Sequence, residues 1–302
     1  LNSTRLLGIV VLGFLAIILL IIAITDTPSD TTDATTYGIA IFTILEGDEF
    51  GSENYTLSVT NVLQKHLSAE NTTRNVASEK DKTKGNYIIQ SIRVLDKESR
   101  NPDVNATKSL FERLESERKM ITVQSLDNLT KAFSFGRTYA NVTHILYDIE
   151  HWEQTPQEEK NAPVDSISIG SHRVHSEGFK YGITPDAVML LENYKEIDWT
   201  EIDLVGMQLQ RFSQNITLFS QHTKTVSDHV RAINPSIEIY VQLSFRFTAA
   251  EDMISAINSV RPYVDGYVVS YLPRGQNCPN CNIDALETVL REISQDSNER
   301  NL

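Results

Sequence analysis

Ile237–Leu272 reads IEIYVQLSFRFTAAEDMISAINSVRPYVDGYVVSYL. Its first part, Ile237–Phe245, is rich in β-branched and aromatic residues, the composition of a strand. Thr248–Val260 follows at helical period and opens with a Thr-x-x-Glu capping box, Thr248 to Glu251. Gly266–Leu272 is apolar again and reads as a second strand. Strand, helix, strand within some three dozen residues is a right-handed crossover between parallel neighbours. The near-continuous apolar runs suit strands covered on both faces.

The same alternation extends outward. Upstream, His144–Glu150 is a strand, Val164–Ser176 a helix closed by Gly178, Tyr181–Thr184 a strand and Ala187–Tyr194 a helix. Ile202–Gln210 is the next strand and Leu218–Ile233 the next helix, stopped before Pro235. Downstream, Ile283–Ile293 closes the pattern as a helix. In the first half, Tyr37–Leu45, Tyr87–Leu95 and Met120–Leu126 read as strands, with a charged helix over Lys108–Lys119. Residues 51–86 read as an insertion. Three strands before His144 and five from it predict an α/β fold, a (βα)8 TIM-barrel-like domain over residues 36–302. A doubly wound open sheet is the alternative. No Gly-x-Gly-x-x-Gly or phosphate-loop motif follows a strand, so a nucleotide-binding version lacks its cradle.

Leu6–Thr25, LLGIVVLGFLAIILLIIAIT, holds no charge and is long enough to span a bilayer core of about 30 Å. Arg5 precedes it, while Asp26, Asp30 and Asp33 follow and no Lys or Arg comes before Lys65. The positive-inside rule then predicts one N-terminal transmembrane helix, a signal anchor within residues 1–25. A cleaved signal peptide is the rival, but Ile22-Ala23-Ile24-Thr25 is a poor cleavage site. Residues 26–35 read as a polar stalk, and the rest is expected outside the cell membrane as a single-pass protein. Sequons at Asn54, Asn71, Asn105, Asn128, Asn141 and Asn215 fit a glycosylated exterior.

The 302 residues carry 40 acidic against 27 basic side chains, a net charge of −13 that disfavours a nucleic-acid partner. Apolar residues at 40% suffice for a large core and exclude a wholly disordered chain. Two cysteines exclude a disulfide-dense scaffold and a four-thiolate zinc site. Cys278-Pro279-Asn280-Cys281 reads first as a local disulfide, with a redox pair or a partial metal site as alternatives. No metal site and no cofactor is expected.

In a barrel, chemistry sits at the C-terminal strand ends. Those ends supply Tyr147, Asp148, Glu150 and Trp152, then Asp186, then Gln208, Gln210 and Arg211, then Gln242, and last Tyr271. Amides and carboxylates hydrogen-bond hydroxyls, and aromatic rings stack on sugar faces, so the set points to a carbohydrate or cell-envelope glycan. The sharpest element is Asp148-Ile149-Glu150: strand alternation puts both carboxylates on one face, about 7 Å apart. Such a pair can act in general acid–base catalysis, bind a ligand without turnover, or be structural.

Here the chain resembles the family-18 chitinase-like glycoside hydrolases, whose fourth barrel strand ends in Asp-x-Glu. The resemblance implies Glu150 as general acid/base and Asp148 as its modulator. It sets Met207-Gln208-Leu209-Gln210 beside that family's Met-x-Tyr motif and Tyr271 beside its eighth-strand Trp. The chain departs from the longer motif at Thr143, His144 and Leu146. The stretches YDIEHWEQTP, Thr184–Asp186 and Met207–Arg211 also resemble uncharacterised archaeal cell-surface barrel proteins. The expected function is therefore a membrane-anchored glycoside-hydrolase-like enzyme, with a non-catalytic glycan- or partner-binding surface barrel as the alternative.

Overall fold

The computed structural model describes residues 118–139, 141–270 and 278–299, together with two strands nearer the N-terminus. The expected anchor, the stalk, the 51–86 segment, most of the Lys108–Lys119 helix and Tyr271 lie outside the described residues. Among the described residues, no helix is long and apolar enough to cross a membrane.

Eight parallel strands close into one ring in sequence order: β1 (Gly38–Phe42), β2 (Ile88–Val94), β3 (Arg118–Val123), β4 (Val142–Tyr147), β5 (Lys180–Ile183), β6 (Leu204–Met207), β7 (Glu238–Ser244) and β8 (Gly266–Ser270). Five residues of β1 pair with five of β8, from Gly38 against Gly266 to Phe42 against Ser270, and complete the barrel. The open-sheet alternative is thereby excluded. The described helices are α1 (Leu129–Thr138), α2 (Gln157–Asn161), α3 (Pro163–Ser176), α4 (Ala187–Asn193), α5 (Ile216–Ile233), α6 (Ala250–Val260) and α7 (Ile283–Glu299).

Strand alternation sorts the side chains into two cores. Inside the ring, Met120, Leu146, Leu204, Tyr240 and Val268 form an apolar plug. Outside it, Ile145, Tyr147, Tyr181, Ile183, Val205, Met207, Val241 and Val269 pack against the helices. Space inside is short. A Cβ on Gly182 would stand 2.3 Å from Leu146 Cδ2, and one on Gly206 would stand 2.7 Å from Thr184 Cγ2. Glycine at these inward positions of β5 and β6 lets Leu146 and Thr184 fill the bore.

Several boundaries differ from expectation. The chain predicted to be helical through Lys119 is already β3 at Arg118. Helix α1 was not anticipated; Leu129, Ala132, Phe133 and Gly136 form its buried stripe. Strand β6 is four residues rather than nine, because the chain turns at Leu209 into a 3-10 helix, Gln210–Phe212. The Thr248–Glu251 capping box does not form: α6 starts at Ala250, and Thr248 Oγ1 pairs instead with Ser213 Oγ at 2.5 Å. Gly178 does end α3, at φ +81°, where a Cβ would be strained. Among the sequons, Asn128 is buried while Asn141 and Asn215 are exposed. Cys278 and Cys281 are joined as a disulfide, fully buried, in the chain entering α7.

The N-terminal face carries a recurrent foot. Asp203, just before β6, accepts the Tyr181 N–H of β5 at 2.8 Å and meets His175 Nε2 of α3 at 2.8 Å. Asp265, just before β8, accepts the Ile239 N–H of β7 at 2.8 Å and Arg231 of α5 at 2.8 Å. A 3-10 turn precedes each aspartate, Trp199–Glu201 and Arg261–Tyr263. Each carboxylate ties together a helix, the strand after it and the next strand. Asp203→Ala or Asp265→Ala leaves a strand N–H without its acceptor and should destabilise the fold by about 1–3 kcal/mol. Urea unfolding measures this; a loss under about 0.5 kcal/mol for both would refute the role.

Candidate functional site

The C-terminal mouth is built where strand ends rise above the apolar plug. On β4, Leu146 faces inward, so Asp148 and Glu150 follow on the same side, while Tyr147 and Ile149 join the helix-facing core. The strand ends at Tyr147 but its pairing continues: Asp148 N–H donates to Val123 O at 2.8 Å and Asp186 N–H to Ile149 O at 3.1 Å.

Gln208 gathers the site. Its Nε2 donates to Asp148 Oδ1 at 2.8 Å, to Glu150 Oε1 at 2.9 Å and to the Thr184 carbonyl at 2.8 Å. Thr184 Oγ1 also donates to Asp148 Oδ1, at 2.9 Å. Two amide hydrogens thus face three oxygens, more than they serve at full strength. The two carboxylates, set on one side of the strand by parity, thus converge on a single amide nitrogen. Asp148 and Gln208 are buried, and Glu150 is half-exposed. Gln210 Nε2 reaches Gln208 Oε1 at 3.5 Å, which places it beside the hub.

The other expected site residues fall into different places. Tyr147 is not at the mouth: it points outward from the ring and donates to Glu159 Oε2 at 2.5 Å. Trp152 is half-buried in the loop after β4, its Nε1 donating to Thr155 Oγ1 at 2.9 Å. Thr155 Oγ1 also accepts the Glu150 N–H at 3.4 Å. Asp186 caps α4 through the Met189 N–H, and its other oxygen accepts both the N–H of His151, at 2.8 Å, and that residue's ring, at 2.7 Å. Burial opposes ionisation of Asp186, but these hydrogen bonds and the His151 ring outweigh it and hold the carboxyl below its ordinary range. Gln242 is half-buried and follows Tyr240 on the inward face of β7. Arg211 is exposed on the turn after β6.

Thr184, at the end of the fifth strand where the sequence reading sets it, closes the hydrogen-bond set around Asp148. One side chain was not anticipated. Glu159, in α2, is buried and accepts the Leu126 N–H through both oxygens, at 3.1 and 3.3 Å, besides the Tyr147 phenol. Its setting in the charged run Gln157–Lys160 reads as solvent-facing, and the sequence carries no signal of its burial. Burial raises its pKa, and the bonds from Tyr147 and Leu126 offset this only in part. Burial and the neighbouring carboxylate also raise that of Tyr147.

No family model and no curated protein matches the chain. Solved structures do. The N-terminal domain of a putative aldolase from Bacteroides vulgatus is similar at 10% identity, with 87% of each chain covered and a TM-score of 0.53. The tryptophan synthase A-subunit of Pyrococcus furiosus is similar at 12% identity over 86% of this chain and 96% of that one, with a TM-score of 0.48. The YdjI aldolase of Escherichia coli K12 matches at 12% identity over 88% and 91%, with a TM-score of 0.44. The first likeness fixes the fold as a parallel α/β barrel of the TIM type. The barrel that this one resembles at that score belongs to a putative aldolase and not to a family-18 chitinase, and no chitinase family model matches, which overturns the chitinase-like resemblance, the glycosidase function and the carbohydrate-binding expectation that accompanied it. The geometry agrees: Met207 and Leu209, the two positions set against Met-x-Tyr, are fully buried in the helix-facing core, and Gln208 between them is what reaches the mouth.

The raised pKa of Glu159 has a measurable sign. The folded chain holds its proton more tightly than the unfolded chain. Glu159 therefore contributes stability while protonated, and that contribution is lost as pH rises from the ordinary glutamate value, about 4.3, through the raised one. Glu159→Gln does not titrate, so its melting temperature relative to the parent should climb as pH goes from 4 to 7. A difference that stays flat or falls contradicts the buried setting.

Proposed function

We propose that the barrel mouth is an active site for carboxylate acid–base chemistry on a small oxygen-rich substrate, with aldol-type carbon–carbon bond cleavage as the reaction class. The observation that carries it is the single Gln208 amide nitrogen holding Asp148 and Glu150 together. One carboxylate accepts the proton of a substrate hydroxyl, and the O–H electrons become a carbonyl as the adjacent carbon–carbon bond breaks. That bond's electron pair passes to the carbon next to an existing carbonyl, giving an enolate, which takes a proton from the other, protonated, carboxyl. Glu150, the more exposed of the two, is the group that meets the substrate, and buried Asp148 shares Gln208 and Thr184 with it.

Aldolase chemistry enters as a candidate through the putative aldolase whose barrel this one resembles. It fits the carboxylate pair because the steps need only a base and an acid. The described lysines of the strands, Lys119 and Lys180, stand at the starts of β3 and β5, at the opposite end from the mouth. Among the described residues, no group of three histidines, cysteines or carboxylates could hold a metal ion.

The test is aldehyde release from a panel of 2-keto-4-hydroxy acids and ketose phosphates, coupled to NADH oxidation. Glu150→Gln should lower turnover by about 10²-fold or more, with a melting temperature close to the parent's. Absence of turnover across the panel, with no solvent deuterium entering the carbon next to a product carbonyl, would sink the proposal.

An extracytoplasmic setting for residues 36–302, anchored by residues 6–25, is part of the same proposal. The charge-free run supports it, and the Cys278–Cys281 disulfide suits an oxidising compartment. Protease added to intact cells should cleave this domain; full protection until lysis contradicts the placement.

A further inference from the structure

Behind the mouth, on the helix side of the sheet, one carboxylate touches the ends of two adjacent strands. Tyr147 is the last residue of β4 and immediately precedes Asp148; its phenol donates to Glu159 at 2.5 Å. Leu126 lies three residues past the end of β3, and its N–H donates to both oxygens of the same Glu159. The loop between Asp148 and Glu159 is itself knit together. Glu150 N–H and Trp152 Nε1 both donate to Thr155 Oγ1, and Lys160 Nζ donates to the Trp152 carbonyl at 2.8 Å. Glu159 is buried, so its charge is removed from water and must be compensated by its partners. A carboxylate is costly merely to hold a loop, since an apolar side chain packs there without that penalty.

We propose that Glu159 is a positioning residue for the acid pair. Gripped by Tyr147 from β4 and by the chain leaving β3, it fixes from behind the height and rotation at which Asp148 and Glu150 meet Gln208. The proposal rests on the acid–base reading of the mouth for its consequence in catalysis, though not for its structural content. Glu159 touches no substrate in this scheme; it acts through the strand end that carries the acids.

Two variants separate this from a general loss of stability. Tyr147→Phe keeps the ring in its packing and removes the phenol. Glu159→Gln keeps the volume and removes the charge. Asp203→Ala, on the opposite face of the barrel, serves as the control for stability alone. The first readout needs no substrate: the side-chain amide protons of Gln208, observed by NMR in the 302-residue chain and assigned by their loss in Gln208→Ala. Their exchange with solvent should quicken about tenfold or more in Tyr147→Phe and Glu159→Gln, and stay near the parent rate in Asp203→Ala. The second readout applies to any substrate the panel yields. The catalytic rate constant should fall about tenfold in both variants with KM within about twofold, because misplacement of the acids affects the transition state more than binding. Unchanged Gln208 exchange in Tyr147→Phe and Glu159→Gln, or equal change in Asp203→Ala, overturns the positioning role. A quickened Gln208 exchange in a chain that turns over nothing keeps the positioning role and removes only the catalytic reading.

Discussion

Room inside an eight-stranded ring is scarce, and that shortage shapes the rest of this molecule. The bore holds Leu146 and Leu204 beside Met120, Tyr240 and Val268 because β5 gives up a side chain at Gly182, and β6 makes room for Thr184 by giving one up at Gly206. Once the plug is full, the next inward positions of the same strands stand above it. They are Asp148, Thr184 and Gln208, polar residues that would be intolerable one layer lower. The mouth is therefore the direct upward continuation of the packing beneath it, and closure of β1 on β8 fixes the phase of both.

The acid pair is held from two sides by different physics. In front, Gln208 supplies neutral hydrogen bonds that draw the two carboxyl groups together. Behind, Glu159 collects a phenol and a backbone N–H in a dry setting, where hydrogen bonds are strong and geometry is strict. Asp186 adds a third hold at the rim, linking His151 in the same loop to the first turn of α4. The chain after β4 is thus fastened at its start, its middle and its end.

Periodicity carried most of the architecture. The run from His144 to Val269 alternates so regularly that its five strands could be read from it, because parallel buried strands are apolar throughout and their helices show a clear stripe; the count of eight also needed the less regular first half, and closure rested on the size of the domain, with an open sheet as the alternative. The site was legible only in part. Asp148 and Glu150 could be placed on one face by parity, but their convergence depends on Gln208, sixty residues away, and no local pattern encodes that. Tyr147 read as a rim residue, yet parity, applied strictly, already turns it outward. Glu159 was invisible: a buried acid in the charged run QEEK differs from a solvated one only through partners on other strands. Likewise Thr248-x-x-Glu251 is a correct local signal that lost to a competing partner, Ser213. The chitinase-like resemblance rested on a few rim residues, and the sixth strand presents the wrong one of its neighbours to the mouth.

The two aspartate feet beneath β6 and β8 have a further consequence. Each bond spans a short stretch of chain, 22 residues for Asp203 to Tyr181 and 26 for Asp265 to Ile239. Closing loops of that size is entropically inexpensive. The final four staves of the cask are thus pinned as two matching couples, each at its base and by nearby chain, whereas the joint between first and last stave spans most of the sequence.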